Sequence, residues 1–123
     1  MLIDTNIIIY AMKPEHQVIR QFIAEHSPAV SAVSYVEALG YHKLVDSERV
    51  LLEKFFRTAK ILSLTRPILK RAVKLRQLRK ISLGDALVAG TALVKKLVLV
   101  TRNTEDFKWI DGLSLLNPFL SEP

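Results

Sequence analysis

Short apolar runs alternate with helical stretches along almost the whole chain, and this alternation restricts the fold more than any other feature. Leu2-Ile3, Ala29-Val30-Ser31, Ile61 to Leu64, Leu97 to Val100 and Leu113 to Leu116 have the length and composition of strands. Between them, apolar residues recur three and four apart. From Pro14, the residues Val18, Ile19, Phe22 and Ile23 share one helix face and His16, Arg20 and Glu25 the other, until Ser27-Pro28 ends the pattern. Ser34 to Leu44 and Ser47 to Thr58 read as two further helices, the second burying Leu51, Leu52, Phe55 and Phe56. Thr65 and Pro67 open a basic helix whose apolar face is Ile68, Leu69, Ala72, Val73 and Leu75. Ser82 caps a nearly all-apolar helix to Val94, and Asn103 to Trp109 fits a short helix. Ile7 to Tyr10 fits strand or helix, and the cap-like Asp4-Thr5-Asn6 favours a helix start. Such alternation predicts an α/β fold, with a parallel sheet covered on both faces. Ligands in such folds bind beyond the carboxyl ends of the strands, where strand order reverses. Asp4 falls at one such end.

A length of 123 residues, half of them hydrophobic and few of them Gly or Pro, suits a single domain over 1–123 with a real core. Cysteine is absent, so disulfides and thiolate metal sites are excluded and any metal needs oxygen or imidazole ligands. Met1 runs directly into Leu2-Ile3-Asp4 without the features of a secretory signal. The longest apolar run, Ala86 to Val94, falls short of the roughly 20 residues that cross a bilayer. A cytoplasmic protein with no membrane partner is therefore expected. The net charge is +6, yet Arg66 to Lys80 holds seven basic residues and no acid, so the rest of the chain is slightly negative. A basic segment this local either attracts a polyanion such as nucleic acid or is an ordinary solvated helix face.

Three acids stand in unusually apolar settings: Asp4 after Met-Leu-Ile, Glu37 inside Tyr35-Val36-Glu37-Ala38-Leu39, and Asp85 ahead of Ala86-Leu87-Val88-Ala89. Each has a structural explanation, since Ser34-x-x-Glu37 and Ser82-x-x-Asp85 match the capping box and Asp4 can cap the first helix. Capping leaves the apolar flanks unexplained. A shared hard cation, Mg²⁺ or Mn²⁺, accounts for all three carboxylates at once, and capping and ligation are compatible. After the strand ending at Val100, Thr101-Arg102-Asn103-Thr104-Glu105-Asp106 offers small polar groups and a carboxylate at the same edge, or an ordinary turn and cap.

These motifs occur in the order seen in PIN domains: Asp4-Thr5-Asn6, Ser34-x-x-Glu37, Ser82-x-x-Asp85-Ala86, and Thr101-Arg102-Asn103-x-x-Asp106-Phe107. The resemblance covers the whole chain, and its size and closing Leu113 to Phe119 segment resemble the VapC toxins of type II toxin-antitoxin pairs. It implies a three-layer α/β/α sandwich around a five-stranded parallel sheet, and a Mg²⁺- or Mn²⁺-dependent endoribonuclease. By the same resemblance Asp4 and Asp85 are primary ligands, Glu37 a ligand or orienter of water, and Asp106 an outer or second-metal ligand. Thr5, Asn6, Thr101 and Asn103 would position phosphate or water. Arg102, with Arg76, Arg79 and Lys80, would guide RNA through phosphate contacts. Many members carry an acid where this chain has Asn103, which leaves the metal count open. A homodimer and a cognate antitoxin partner are implied too, with Val50 to Phe56 serving as core or as a surface for one of them.

Two other classes compete. A non-catalytic PIN-fold RNA-binding or scaffold module would explain Asn103, but not the retention of Asp4, Glu37 and Asp85. A receiver-like signalling domain needs a phosphoacceptor aspartate after the third strand, where Ser63-Leu64-Thr65-Arg66 stands.

Overall fold

The structure, a computed structural model, describes residues 1–120; Ser121, Glu122 and Pro123, the end of the expected domain, lie outside the described residues. Five short parallel strands, β1 (Leu2–Ile3), β2 (Ala29–Ser31), β3 (Ile61–Leu62), β4 (Leu99–Val100) and β5 (Leu115–Leu116), form one sheet in the order β3-β2-β1-β4-β5. β1 is central, with Ile3 opposite Val30 on one side and Val100 on the other. The strands carry no polar alternation because the sheet is covered twice. Ile3, Val30 and Val100 face α1 (Thr5–Ala11), α2 (Gln17–His26), α3 (Ala32–Leu39) and α4 (Asp46–Thr58), where Ile7, Ile8, Ile19, Ala38, Leu52 and Phe56 complete one core. Leu2, Ala29 and Leu99 point the other way. They meet α5 (Arg66–Leu78) and α6 (Leu83–Lys95) through Leu75, Val88, Ala89 and Ala92, with Phe107 and Ile110 closing the edge. The three-layer α/β/α architecture expected from the motifs is thus present.

α6 is buried from Ala86 to Ala92, and its small residues explain how α5 packs so tightly upon it. A side chain at Gly90 would stand 3.1 Å from the Ile68 carbonyl and 3.4 Å from the Ala72 amide of α5. Thr91 satisfies its buried hydroxyl by donating to the Leu87 carbonyl at 2.7 Å.

Several sequence expectations shift. The third helix begins at Ala32 and is capped by Ser31, whose hydroxyl accepts from the Val33 amide. Ser34 lies inside that helix and caps nothing, and Gly40 ends it before Leu44. The second helix starts at Gln17, and a 3₁₀ turn at Thr104–Asp106 replaces the short helix after β4. Leu51, Leu69 and Val73, expected inside, are 47%, 45% and 54% exposed, and Val18 is exposed as well. Each helix meets its layer along a stripe narrower than its apolar residues suggest: Leu52 and Phe56 on α4, and Ile68, Ala72 and Leu75 on α5.

Candidate active site

Going from β1 through β2 to β3 the chain moves to one side of the sheet, and with β4 it crosses to the other side of β1. The strand order therefore reverses between β1 and β4, where α/β folds hold their ligands. Asp4 follows β1 and Thr101 follows β4 directly at this point. The Asp4 amide donates to the Val100 carbonyl at 3.1 Å, which fixes the acid against the neighbouring strand. Its side chain caps α1 by accepting from the Ile7 amide at 2.9 Å, and it also accepts from the Thr101 hydroxyl and the Asn6 amide. Thr101 is fully buried and accepts in turn from the Asn103 amide at 3.1 Å.

Asp85 projects from the first turn of α6, whose cap Ser82 accepts from the Asp85 amide at 3.1 Å and hydrogen-bonds the Asp85 carboxylate. Glu37, near the end of α3, accepts from the Thr5 hydroxyl at 2.7 Å, and Thr5 is hydrogen-bonded to the buried Ser34 hydroxyl at 2.8 Å. A groove of about 290 Å³ is lined by Asp4, Thr5, Asn6, Glu37 and Asp85, with Ile9, Tyr41 and Val88 as its apolar walls. Four elements thus deliver three carboxylates to one depression.

Burial is the main force on Asp4, which is only 6% exposed, and it raises the carboxyl above its ordinary range. Hydrogen bonds from Thr101, Ile7 and Asn6 oppose that rise, and the charge of Asp85 adds to it. Asp85 is raised as well, first by burial and then by the charges of Asp106 and Glu37, against the Ser82 hydrogen bond. Among the described residues none of these four carboxylates is in an ion pair. A raised carboxyl stabilises the fold below its unfolded pKa, and that contribution is lost as pH rises through the folded pKa. Near neutral pH the two ionised aspartates therefore destabilise the cation-free protein. Asp4→Asn, which keeps the cap acceptor, is expected to melt at a higher temperature than wild type at pH 7 in EDTA, with the gap closing as pH falls below the carboxylate range. Calorimetry across pH 3.5 to 8 checks this, and a variant that is less stable at every pH would mark Asp4 as a structural cap alone.

The donor set is all oxygen and anionic, which suits a hard divalent cation. No three acidic or imidazole groups among the described residues gather closely enough to hold an ion by themselves. A hard divalent cation can be bound through one or two carboxylates, with waters completing its shell.

The other expected site residues divide. Asn6 and Thr101 reach Asp4, and Thr5 reaches Glu37. Asp106 is exposed and lies outside the groove, sensed by Asp85 only through its charge. The exposed Asn103 joins the site through its backbone amide. Arg102 lies over the rings of Phe119 and Tyr10, 4.2 and 5.3 Å from their centroids, at the margin of the site. Arg79 lies 5.3 Å over Trp109, whose indole donates to the Asp106 carbonyl at 2.9 Å, so the basic helix abuts the Asp106 edge. Sequence reasoning passed over Gly84, whose position beside Glu37 is signalled only by a glycine in the first turn of an otherwise strong helix.

The PIN domain family model matches residues 1–113. This chain belongs to the PIN domain family. Solved structures agree with the PIN assignment: a chain of a toxin-antitoxin complex from Klebsiella pneumoniae superposes with a TM-score of 0.74 at 30% identity, over 95% of this chain and 96% of that one. A chain of DNA-bound VapBC from Salmonella typhimurium gives 0.82 at 23% identity over 95% and 96%. A chain of VapBC2 from Rickettsia felis, bound to a promoter DNA fragment, gives 0.81 at 23% over 94% and 96%. No curated protein sequence matches the chain. The expected VapC-like PIN fold is borne out, and among the described residues no helix of this PIN domain is long and apolar enough to cross a membrane.

Proposed function

We propose that this PIN domain is a Mg²⁺- or Mn²⁺-dependent endoribonuclease, the toxin of a VapBC-like toxin-antitoxin pair. The carrying observation is the meeting of Asp4, Glu37 and Asp85 in one groove at the reversal of strand order, with no cationic side chain among the described residues paired to them. Kinship with chains of toxin-antitoxin and VapBC complexes supports the pairing with an antitoxin.

Asp4 and Asp85 would hold the cation, Glu37 would bind it or orient its water, and Asp106 would act from the rim. When bound, the divalent ion supplies Lewis acidity, activating water for in-line attack and neutralising charge on the scissile phosphate. The chain's own residues prepare that geometry. Thr101, Ile7 and Asn6 hold Asp4 in a single orientation, Ser82 does the same for Asp85, and the Thr5–Ser34 pair does so for Glu37. Asn6, exposed at the groove lip, is free to meet phosphate oxygens. The seven exposed basic residues of Arg66 to Lys80 would carry the RNA backbone toward the Asp106 edge. A homodimer is part of the same proposal, and the exposed Val50 and Leu51 of α4 offer apolar area to it or to the antitoxin.

Incubation of purified protein with a mixed tRNA and mRNA pool is expected to give discrete fragments with Mn²⁺ and none with EDTA. Cleavage indifferent to EDTA would overturn the cation requirement. RNA binding without cleavage in Mn²⁺ would leave a non-catalytic PIN module.

A further inference from the structure

We infer that Gly84 is a positioning residue for the acidic groove, and that its missing side chain is the seat of the Glu37 carboxylate. The inference rests on the cation-dependent reading above. Gly84 occupies the first turn of α6, directly before Asp85, where alanine and most other residues would favour the helix more. A Cβ built there would lie 3.0 Å from the Glu37 Cδ and 3.2 Å from its Oε1, and closer still to Oε2. The carboxylate thus fills the space that a side chain at position 84 would take.

The seat is closed on its other side. Thr5 donates to Glu37 Oε1 at 2.7 Å, and Thr5 is itself held by Ser34, which is fully buried on the same helix as Glu37. Hydroxyls on one flank and a bare backbone on the other fix a long, otherwise exposed acidic side chain beside Asp85. The amino end of α6 favours a negative charge there. What a new Cβ would displace is the far end of a flexible side chain, so the fold can yield without backbone movement while the groove loses its third carboxylate.

Stability and cation binding should therefore move in opposite directions in Gly84→Ala. Its melting temperature in EDTA is expected to rise by about 2–4 °C, because alanine restricts the unfolded chain and favours the helix. Mn²⁺ binding, followed by electron paramagnetic resonance of the free ion, is expected to weaken about 10- to 100-fold, the range seen when a ligand loses its orienting partner. Glu37→Gln should weaken it comparably, and adding Gly84→Ala to Glu37→Gln should weaken it no further.

A wild-type Mn²⁺ midpoint in Gly84→Ala, additive losses in the double variant, or a lowered melting temperature would each overturn the inference. If wild type binds and uses Mn²⁺ but Gly84→Ala matches it, the nuclease reading stands and only the seat falls. Failure of wild type itself to bind Mn²⁺ removes both.

Discussion

Asp4→Asn and Asp85→Asn are each expected to lower RNA cleavage by about a thousandfold or more while the protein stays folded and continues to bind RNA. A bound divalent ion supplies several kcal/mol of transition-state stabilisation, and each ~1.4 kcal/mol is a factor of ten, so losing the ion removes roughly three orders of magnitude. Asparagine keeps the shape and the cap acceptor that the Ile7 amide requires, and it removes only the anionic oxygen that a hard cation needs. Because the ion is lost once, the double variant should fall little below either single one. The groove also ranks the milder substitutions. Glu37→Gln should lose about 10- to 100-fold, since one Glu37 oxygen is already engaged by Thr5 and Asp4 and Asp85 remain to hold the ion. Asp106→Asn should lose least, because that residue is exposed at the rim and acts on Asp85 only through its charge. Single-turnover cleavage of an end-labelled RNA measures all four. Wild-type rates in Asp4→Asn would reduce the carboxylates to helix caps.

The three acids that line the groove stood out in the sequence because each has apolar neighbours, although only Asp4 is buried and Glu37 is exposed beside an exposed Tyr35 and Val36. How they are held was not legible in the sequence. Ser34-x-x-Glu37 has the spacing of a capping box, yet Ser31 takes the cap, and both Ser34 and Glu37 turn to Thr5 on another helix. Two serines three residues apart compete for one helix start, and only tertiary contact with α1 decides between them. Ser82-x-x-Asp85 has the same spacing and does act as a cap, because no second serine competes. In the proposed site capping and carboxylate placement are one device: Asp4 and Asp85 both stand at helix starts that hold their carboxylates still.

Element types followed from periodicity, whereas faces and ends did not. Leu69 and Val73 extend the apolar pattern of α5 beyond the stripe that touches α6, since a helix with one neighbour buries only a narrow band. β4 and β5 are two residues each, shorter than their apolar runs, because only the residues paired in register with β1 and with each other enter the ladder. The strand order arises from pairings across the whole chain and leaves no local signal.

Replacing Arg71, Lys74 and Arg79 together by glutamine is expected to weaken RNA binding roughly 50-fold at about 0.15 M salt, and to flatten the dependence of log affinity on log salt by about 2. Both figures follow from the loss of three phosphate contacts to a single strand. The need for such contacts comes from the site itself. Asp4, Glu37, Asp85 and the nearby Asp106 form a negative field that repels a phosphodiester backbone before a cation neutralises it. The exposed segment Arg66 to Lys80, α5 and the two residues after it, holds seven basic residues and no acid; joined to that edge through Arg79, Trp109 and the Asp106 carbonyl, it offsets the repulsion and steers the strand inward. Arg71 and Lys74 line a depression with Leu78, Trp109 and Asp111, beside the Trp109 ring that Arg79 covers. Because these side chains lie away from the groove carboxylates, the loss should fall on KM rather than kcat. Fluorescence anisotropy of a labelled RNA from 50 to 300 mM KCl, alongside cleavage kinetics, separates the possibilities. An unchanged salt slope would take α5 out of the RNA path and leave its basic face to an acidic partner such as an antitoxin.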